Sequence, residues 1–329
     1  MPYSVAVLLP CYNEEVSIGD IVRGFRIALP DAAIYVYDNN STDGTIARAT
    51  EAGATVRREP MQGKGNVVRR MFADVEADIY VLADGDGTYD PKDAPAMIAR
   101  LIDDNLDMVV GARLGAAEND AFRTGHRAGN RVLSGLVATL LPNRLTDMLS
   151  GYRVFSRRFV KSFPALSRGF ETETELTIHA LELRMPVAEM PVPYAARPGG
   201  SASKLSTWRD GMRILATVIF LFKEARPFKF FAGIAAALAL LAVVLAGPLV
   251  VTYIETGLVP RLPTAVLISG IMVIAALSFL CGVILDTVSR GRREAKRMHY
   301  LAERSVAAAD GTGLVAGTVR RAAVPRAVD

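Results

Sequence analysis

The sequence predicts an α/β fold, a mostly parallel sheet covered by helices, followed by a C-terminal transmembrane α-hairpin. Three observations predict it. Short β-rich runs alternate with helical ones through the first half of the chain, as they do in parallel sheets. Clusters of Asp, Asn and Gly close several of the β-rich runs. Two uncharged runs follow, 230–254 with 25 residues and 262–285 with 24. Each is long enough for a hydrocarbon core, which takes roughly 20 helical residues.

The elements follow in order. VAVLLP reads as the first strand, with a helix over 17–28; AIYVYD is the second, with a helix over 42–52. ATVRR, a helix over 63–73 and the strand IYVLAD come next, then a helix over 91–104 and the strand MVVGA. A helix over 127–140, the segment GYRVF, a helix over 172–183 and the strand-like VAEMPVPYA complete the globular part. Residues 208–226 pair an apolar face with Arg209, Arg213, Lys223 and Arg226, the pattern of a helix lying in a membrane surface, and Trp208 opens it as an interfacial anchor. Pro248 is expected to kink the first span. The expected organisation is thus a cytosolic domain over 1–207, an interface helix over 208–228, two spans within 229–288, and a basic, partly disordered tail over 289–329.

Charge placement supports that organisation. The net charge is +4, yet residues 1–229 hold 28 basic and 28 acidic side chains, while 286–329 hold 9 against 5. A nucleic-acid partner is excluded on this ground, because the folded part carries no basic excess to follow phosphates. Lys223, Arg226 and Lys229 before the hairpin, and Arg290, Arg292, Arg293, Lys296 and Arg297 after it, place both ends in the cytoplasm by the positive-inside rule. The expected location is the inner or plasma membrane, multi-pass. Cys11 and Cys281 form neither a disulfide framework nor a metal site, and the amino terminus lacks the features of a signal peptide.

The chemistry is written at the strand ends, where open α/β sheets bind ligands. The first strand ends in PCYNEE, the second in DNNSTDGT and the fourth in ADGDGTYDP. Asp84 and Asp86, separated by a glycine, offer hard oxygen ligands suited to Mg²⁺ or Mn²⁺, which complete their shells with water and phosphate oxygens. Gln62-Gly63-Lys64-Gly65 opens a helix, where amides and a lysine can meet an anion. No P-loop or dinucleotide fingerprint follows any strand.

PCYNEE, DNNSTDGT, QGKGN, ADGDGTYDP, VVGAR, TDMLSGYRVF and RPGGSASKL, in this order, resemble the family-2 glycosyltransferases of GT-A fold. Within them, the chain is similar to the dolichol- or polyprenyl-phosphate sugar synthases, over about residues 3–215, and the hairpin resembles the anchor of bacterial members. The resemblance implies that Pro10, Asn13, Glu14 and Asp38 line the nucleoside pocket, that Lys64 lies near the nucleotide, and that Asp84 and Asp86 bridge metal and diphosphate. Thr88 stands where the family often has Gln. Arg113 and Asp147 match the sugar and acceptor region. Arg127, Arg131 and Ser134 match the stretch that receives the lipid phosphate, with Asn130 where an Arg is usual. Arg197 and Lys204 fit the loop that closes on the diphosphate, so the catalytic set is Asp86, Asp147, Arg197 and Lys204.

The activity implied is metal-dependent transfer, with inversion, of a hexose or N-acetylhexosamine from a nucleotide diphosphate sugar to polyprenyl phosphate. A UDP-sugar is favoured over GDP-mannose because DGDGTYDP departs from the DADLQ-like form of mannose synthases. The alternatives are transfer to a hydroxyl of a lipid-linked saccharide and a non-catalytic membrane nucleotide-sugar-binding protein; a homo-oligomer is compatible with either. A processive synthase is disfavoured, since the single Trp lies in STWR and not in a QxxRW segment. Glu171, Glu173 and Glu175 are explained by the preference of a helix N-terminus for acidic residues, the alternative being that one of them reaches the acceptor or sugar.

Overall fold

In the computed structural model, the structure describes residues 3–114, 145–165, 172–195, 223, 226–259 and 261–306. The described residues divide into two compact units, one of 3–195 with 298–306 and one of 223–297. The first unit is built on strands β1 (Val5–Cys11), β2 (Ala33–Asp38), β3 (Thr55–Arg58), β4 (Ile79–Leu82), β5 (Met108–Leu114), β6 (Arg153–Ser156) and β7 (Val187–Pro193). Its helices are α1 (Ile18–Ala28), α2 (Thr45–Glu51), α3 (Lys64–Asp74), α4 (Ala94–Asp103), α5 (Arg157–Ser162) and α6 (Thr172–Leu183).

The seven strands lie in the order β3-β2-β1-β4-β6-β5-β7. Only β6 runs antiparallel to its neighbours. Chain order reverses between β1 and β4, which opens a crevice at the carboxyl ends of these strands. GYRVF therefore supplies the strand that joins the nucleotide-type half, β1 to β4, to the β5–β7 pair.

Alternation along the strands loads both faces. Val5, Val7 and Leu9 of β1 pack with Ile21, Val22 and Phe25 of α1 and with Met97 and Leu101 of α4. Ala6 and Leu8 point the other way, toward Val68, Met71 and Phe72 of α3 and Phe159 of α5. β4 is buried along its whole length, as a central strand covered on both sides must be. The helix expected from 42 starts only at Thr45, because side chains of the preceding turn capture its backbone: Asp43 accepts from Thr45 N at 3.0 Å and Glu15 from Gly44 N at 2.9 Å. The helix expected from 91 opens as a single 3₁₀ turn at Pro91–Asp93, capped by Asp90 on Lys92 N at 3.0 Å, before α4 begins.

The second unit contains α7 (Pro227–Thr256) and α8 (Leu262–Ala302), the two described helices long and apolar enough to cross a membrane. Helix α7 continues through Pro248 and ends on Gly257 in the left-handed conformation at φ 69°. Gly282 of α8 lets the helices close: a Cβ there would stand 3.0 Å from Phe231 Cβ and 3.5 Å from Phe228 Cα. Phe228 and Phe279 meet edge to face at 5.7 Å. Small residues at such a crossing are the usual means of bringing apolar helices together in lipid.

Helix α8 runs past the apolar segment, and its last residues belong to the first unit. Tyr300 donates to Asp107 Oδ2 at 2.8 Å, and the Arg158 guanidinium lies over its ring at 4.8 Å. Ser156 Oγ donates to Asp107 Oδ1 at 2.7 Å, Arg158 pairs with the same carboxylate, and Arg157 pairs with Glu303 at 3.0 Å. Tyr300 packs on the α3 side of the sheet, whereas Val306 is buried in the core on the α1 side. Residues 300–306 therefore strap the amino-terminal pole of β5, the end opposite the crevice. Tyr300→Phe is expected to lower the unfolding free energy of the first unit by about 1.5–3 kcal/mol, the worth of a hydrogen bond to a buried carboxylate. Urea unfolding in detergent measures it, and an unchanged midpoint would show that the strap adds no stability.

Candidate active site

The crevice is shaped first by hydrogen bonds between loops. Asn13 takes a positive φ of 55°, its N donates to Ser41 Oγ at 2.9 Å, and its amide oxygen accepts from Thr42 N at 2.8 Å. Glu14 N donates to Thr45 Oγ1 at 2.8 Å. Asp38, buried at the end of β2, accepts from Ser41 N at 3.2 Å, and Asn39 N donates to Cys11 O at 2.9 Å. Pro10, Asn13, Glu14 and Asp38 are thus gathered at the ends of two adjacent strands.

Asn39, which sequence reasoning passed over as one turn residue among several, fixes the next loop. Its Nδ2 donates to the carbonyls of Glu59 and Met61, both at 2.9 Å, and its Oδ1 accepts from Gly63 N at 2.7 Å. Gly63 has φ 125°, a conformation open to glycine, and this turn launches α3 with Lys64 as its first residue.

Beyond β4, Asp84 and Asp86 occupy the middle of the crevice. Gly85 lies against β1, where a Cβ would run into Cys11 Sγ, and Gly85 O accepts from Ser17 Oγ at 2.7 Å. Gly151, from the SGYR segment, makes room for the Asp84 carboxylate, which an added Cβ would strike. Asp86 is buried, and its Oδ1 accepts from Thr88 N at 3.1 Å and Thr88 Oγ1 at 2.6 Å. Thr88 is therefore a partner that aims Asp86.

Lys64 Nζ meets Asp84 Oδ1 at 2.5 Å and also pairs with Glu173, a buried carboxylate in the first turn of α6. Burial pulls the ammonium down, but Asp84 and Glu173 outweigh it and hold it above the ordinary lysine value. The sequence explains Glu173 by the helix terminus or by reach to acceptor or sugar, and not by a pair with Lys64, whose signal lies in tertiary proximity across 109 positions.

The Cys11 thiol lies in the field of all these carboxylates. Burial first, then Glu14, Asp38, Asp84 and Asp86, push it well above the ordinary thiol value. Acidic groups from three strand ends converge here, the setting in which a divalent cation is held. Asp84 and Asp86 have the donor chemistry for Mg²⁺ or Mn²⁺, and the Lys64 ammonium already places a positive charge against Asp84. Among the described residues no three His, Cys, Asp or Glu side chains form a metal cage, so substrate oxygens and water would complete such a shell.

On the β5 side, Arg113 grips Asp147 bidentately, Nε to Oδ2 at 2.7 Å and Nη2 to Oδ1 at 2.8 Å. Burial raises the Asp147 carboxyl, but Arg113 outweighs it and holds it below the usual carboxylate range. Glu189 of β7 steadies the turn by accepting from Thr146 N at 2.7 Å and Asp147 N at 2.9 Å. Arg113 also lies over the Tyr194 ring at 5.3 Å. Arg153, fully buried, donates to the carbonyls of Ser150 at 2.9 Å and Met148 at 2.6 Å and to Thr177 Oγ1 at 2.9 Å, and burial brings its guanidinium down to about 10. Tyr89 OH accepts from Gly151 N at 3.0 Å, binding the two halves of the crevice. Arg127, Arg131, Ser134, Arg197 and Lys204 lie outside the described residues, as do Trp208 and most of the interface helix.

Fold and site define an α/β enzyme whose polar groups gather at the carboxyl ends of its strands. The model of the Glycosyl transferase family 2 matches residues 6–163. Glycosyltransferase AglJ of Haloferax volcanii is 31% identical over 302 residues, 91% of this chain and 99% of its own. The dolichyl-phosphate hexose transferase of the same organism is 28% identical over 222 residues, 68% of this chain and 95% of its own. A crystal structure of Mycobacterium tuberculosis glucosyl-3-phosphoglycerate synthase, in complex with Mn²⁺, UDP and glucosyl-3-phosphoglycerate, has the same fold, with TM-score 0.53 and 23% identity over 66% of this chain and 80% of that one. The chain belongs to glycosyl transferase family 2. It is a glycosyltransferase with a GT-A-like sheet and two C-terminal helices long and apolar enough to cross a membrane.

The environment of Cys11 makes a direct prediction. In a Cys281→Ser chain, iodoacetamide should leave Cys11 unmodified at pH 8 in the folded state and label it on unfolding. A thiol raised in the folded state binds its proton more tightly there than in the unfolded chain, so its stabilising contribution is complete below about pH 8.5 and is lost as pH rises beyond it. Alkylation of folded protein at the rate of a free thiol would contradict this environment.

Proposed function

We propose that the chain transfers a hexose or N-acetylhexosamine from a nucleotide diphosphate sugar, a UDP-sugar ahead of GDP-mannose, to the phosphate of a membrane polyprenol, with inversion at the anomeric carbon. The observation that carries this reading is the acidic pair Asp84 and Asp86 with Lys64 at the switch point, in a chain that ends in two membrane-type helices. A similar chain named a dolichyl-phosphate hexose transferase supports the lipid acceptor, and a structure of like fold that holds Mn²⁺ and UDP supports the donor.

Asp84 and Asp86 would hold Mg²⁺ or Mn²⁺; the ion, when bound, neutralises charge on the departing diphosphate. Lys64 adds a fixed cation at the same place, and Arg197 and Lys204 close over it. Pro10, Asn13, Glu14 and Asp38 form the nucleoside end. Arg113 faces sugar or acceptor phosphate with its fork set by Asp147, while Arg127, Arg131 and Ser134 receive the lipid phosphate.

An acceptor phosphate is already anionic at neutral pH, so alignment and stabilisation of the leaving group carry the rate. Asp147 fits this chemistry better than transfer to a hydroxyl. Both of its oxygens accept from Arg113 and its proton affinity is low, which makes it a weak base and a good orienting group. The domain arrangement follows the charge pattern: a catalytic domain and both helix flanks on the cytoplasmic side of a multi-pass membrane protein.

Detergent-purified protein, undecaprenyl phosphate, Mn²⁺ and a panel of UDP- and GDP-sugars test the reading by product mass. The expected product is the polyprenyl-phosphate monosaccharide, and Asp86→Ala should reduce turnover by at least about 10²–10³-fold. Full activity in Asp86→Ala, or product only with a hydroxyl-bearing lipid-linked saccharide, would overturn it.

A further inference from the structure

Lys64 faces two carboxylates of unequal standing. The Asp84 side chain is 29% exposed and opens to the crevice, whereas Glu173 is 8% exposed and approaches from α6, with Lys64 itself at 13%. The pair with Glu173 is the deep half of the bridge, and the pair with Asp84 is the half a ligand can reach. A lysine resting on Asp84 alone would compete with any cation for that carboxylate. Burying Glu173 without a cation would be costly in turn, so the deep half is the one that persists.

We propose that Glu173 is a positioning residue that keeps Lys64 in place while Asp84 changes partner. With an ion and diphosphate in the crevice, Glu173 would hold Lys64 in place, Asp84 would be available as a ligand, and Nζ would remain beside the phosphate oxygens. In the ligand-free protein the same lysine neutralises Asp84, which limits repulsion among the carboxylates around Cys11. The inference rests on the donor site proposed above and adds to it a residue that touches neither sugar nor nucleotide. No bond to substrate is made or broken by Glu173; its effect passes wholly through Lys64.

Binding of UDP, and in parallel GDP, to the full detergent-solubilised chain is measured by calorimetry with and without Mn²⁺, and bound Mn²⁺ is read by electron paramagnetic resonance. Glu173→Gln should weaken Mn²⁺-dependent nucleotide binding about tenfold, a coupling of about 1.4 kcal/mol, and leave metal-free binding within about twofold. In a Lys64→Met background the same substitution should change nothing further. Glu173→Asp, which keeps the charge but shortens the reach, should give a partial loss and replaces Gln in the cycle if the Gln variant fails to fold. Equal losses with and without Lys64, or no loss in the presence of Lys64, would overturn the inference. A wild-type chain that binds neither nucleotide with Mn²⁺ would overturn the donor-site reading and the inference with it, a result distinct from the first two.

Discussion

Carboxylates crowded at the ends of three parallel strands are the constraint on which the rest of this structure depends. Glu14, Asp38, Asp84 and Asp86 all raise the proton affinity of one buried thiol, so they lie near one another, and Asp38 and Asp86 are themselves buried. Such a group is tolerable only if backbone amides and cations answer it. The loops supply amides, Ser41 N to Asp38 and Thr88 N to Asp86, and α3 supplies the cation, Lys64 at its first position, to Asp84. The loop conformations, the left-handed Asn13 and the missing Cβ atoms of Gly85 and Gly151 are the means by which the chain keeps these charges close without collapse.

The two halves of the crevice are built by different kinds of contact. On the β1–β4 side, the loops are joined by hydrogen bonds between backbone and short polar side chains. On the β5–β7 side, the joint is made by large groups: Tyr89 packs against Tyr152 and Tyr194, and Arg153 gathers the carbonyls of Met148 and Ser150 from inside the core. A buried guanidinium answered by neutral oxygens costs more than an apolar side chain of the same size would. Its return is geometric: Nε, Nη1 and Nη2 in a fixed plane hold Ser150, Thr177 and Met148 at set positions next to Gly151, which lies against Asp84.

Period and punctuation carried the fold in the sequence. Alternating β-rich and helical runs marked β1 to β5, the uncharged runs marked α7 and α8, and the acidic clusters fell at the strand ends where the crevice lies. GYRVF did not declare its antiparallel direction, because four buried residues carry no amphipathic signal. Asp84, Asp86 and Lys64 were legible as types in a spacing. Glu173 and Asn39 were not, since a carboxylate in a helix first turn and an asparagine in a turn each have an ordinary local explanation, and only the folded chain brings their partners near. The Arg113–Asp147 grip was hidden for the same reason: each residue was assigned to the same region, but which of them faces a ligand depends on which is already bound to the other.

The strap at residues 300–306 has a consequence for biosynthesis. Chains fold from the amino terminus as they emerge, and the sheet can form long before synthesis ends. Tyr300, Glu303 and Val306 emerge only after both apolar helices have been made, so the pole of the sheet around Asp107 is closed last. A product truncated within the second apolar helix loses the strap together with the rest of that helix. Completion of the first unit is thereby tied to completion of the hairpin, and quality control of the one is also a check on the other.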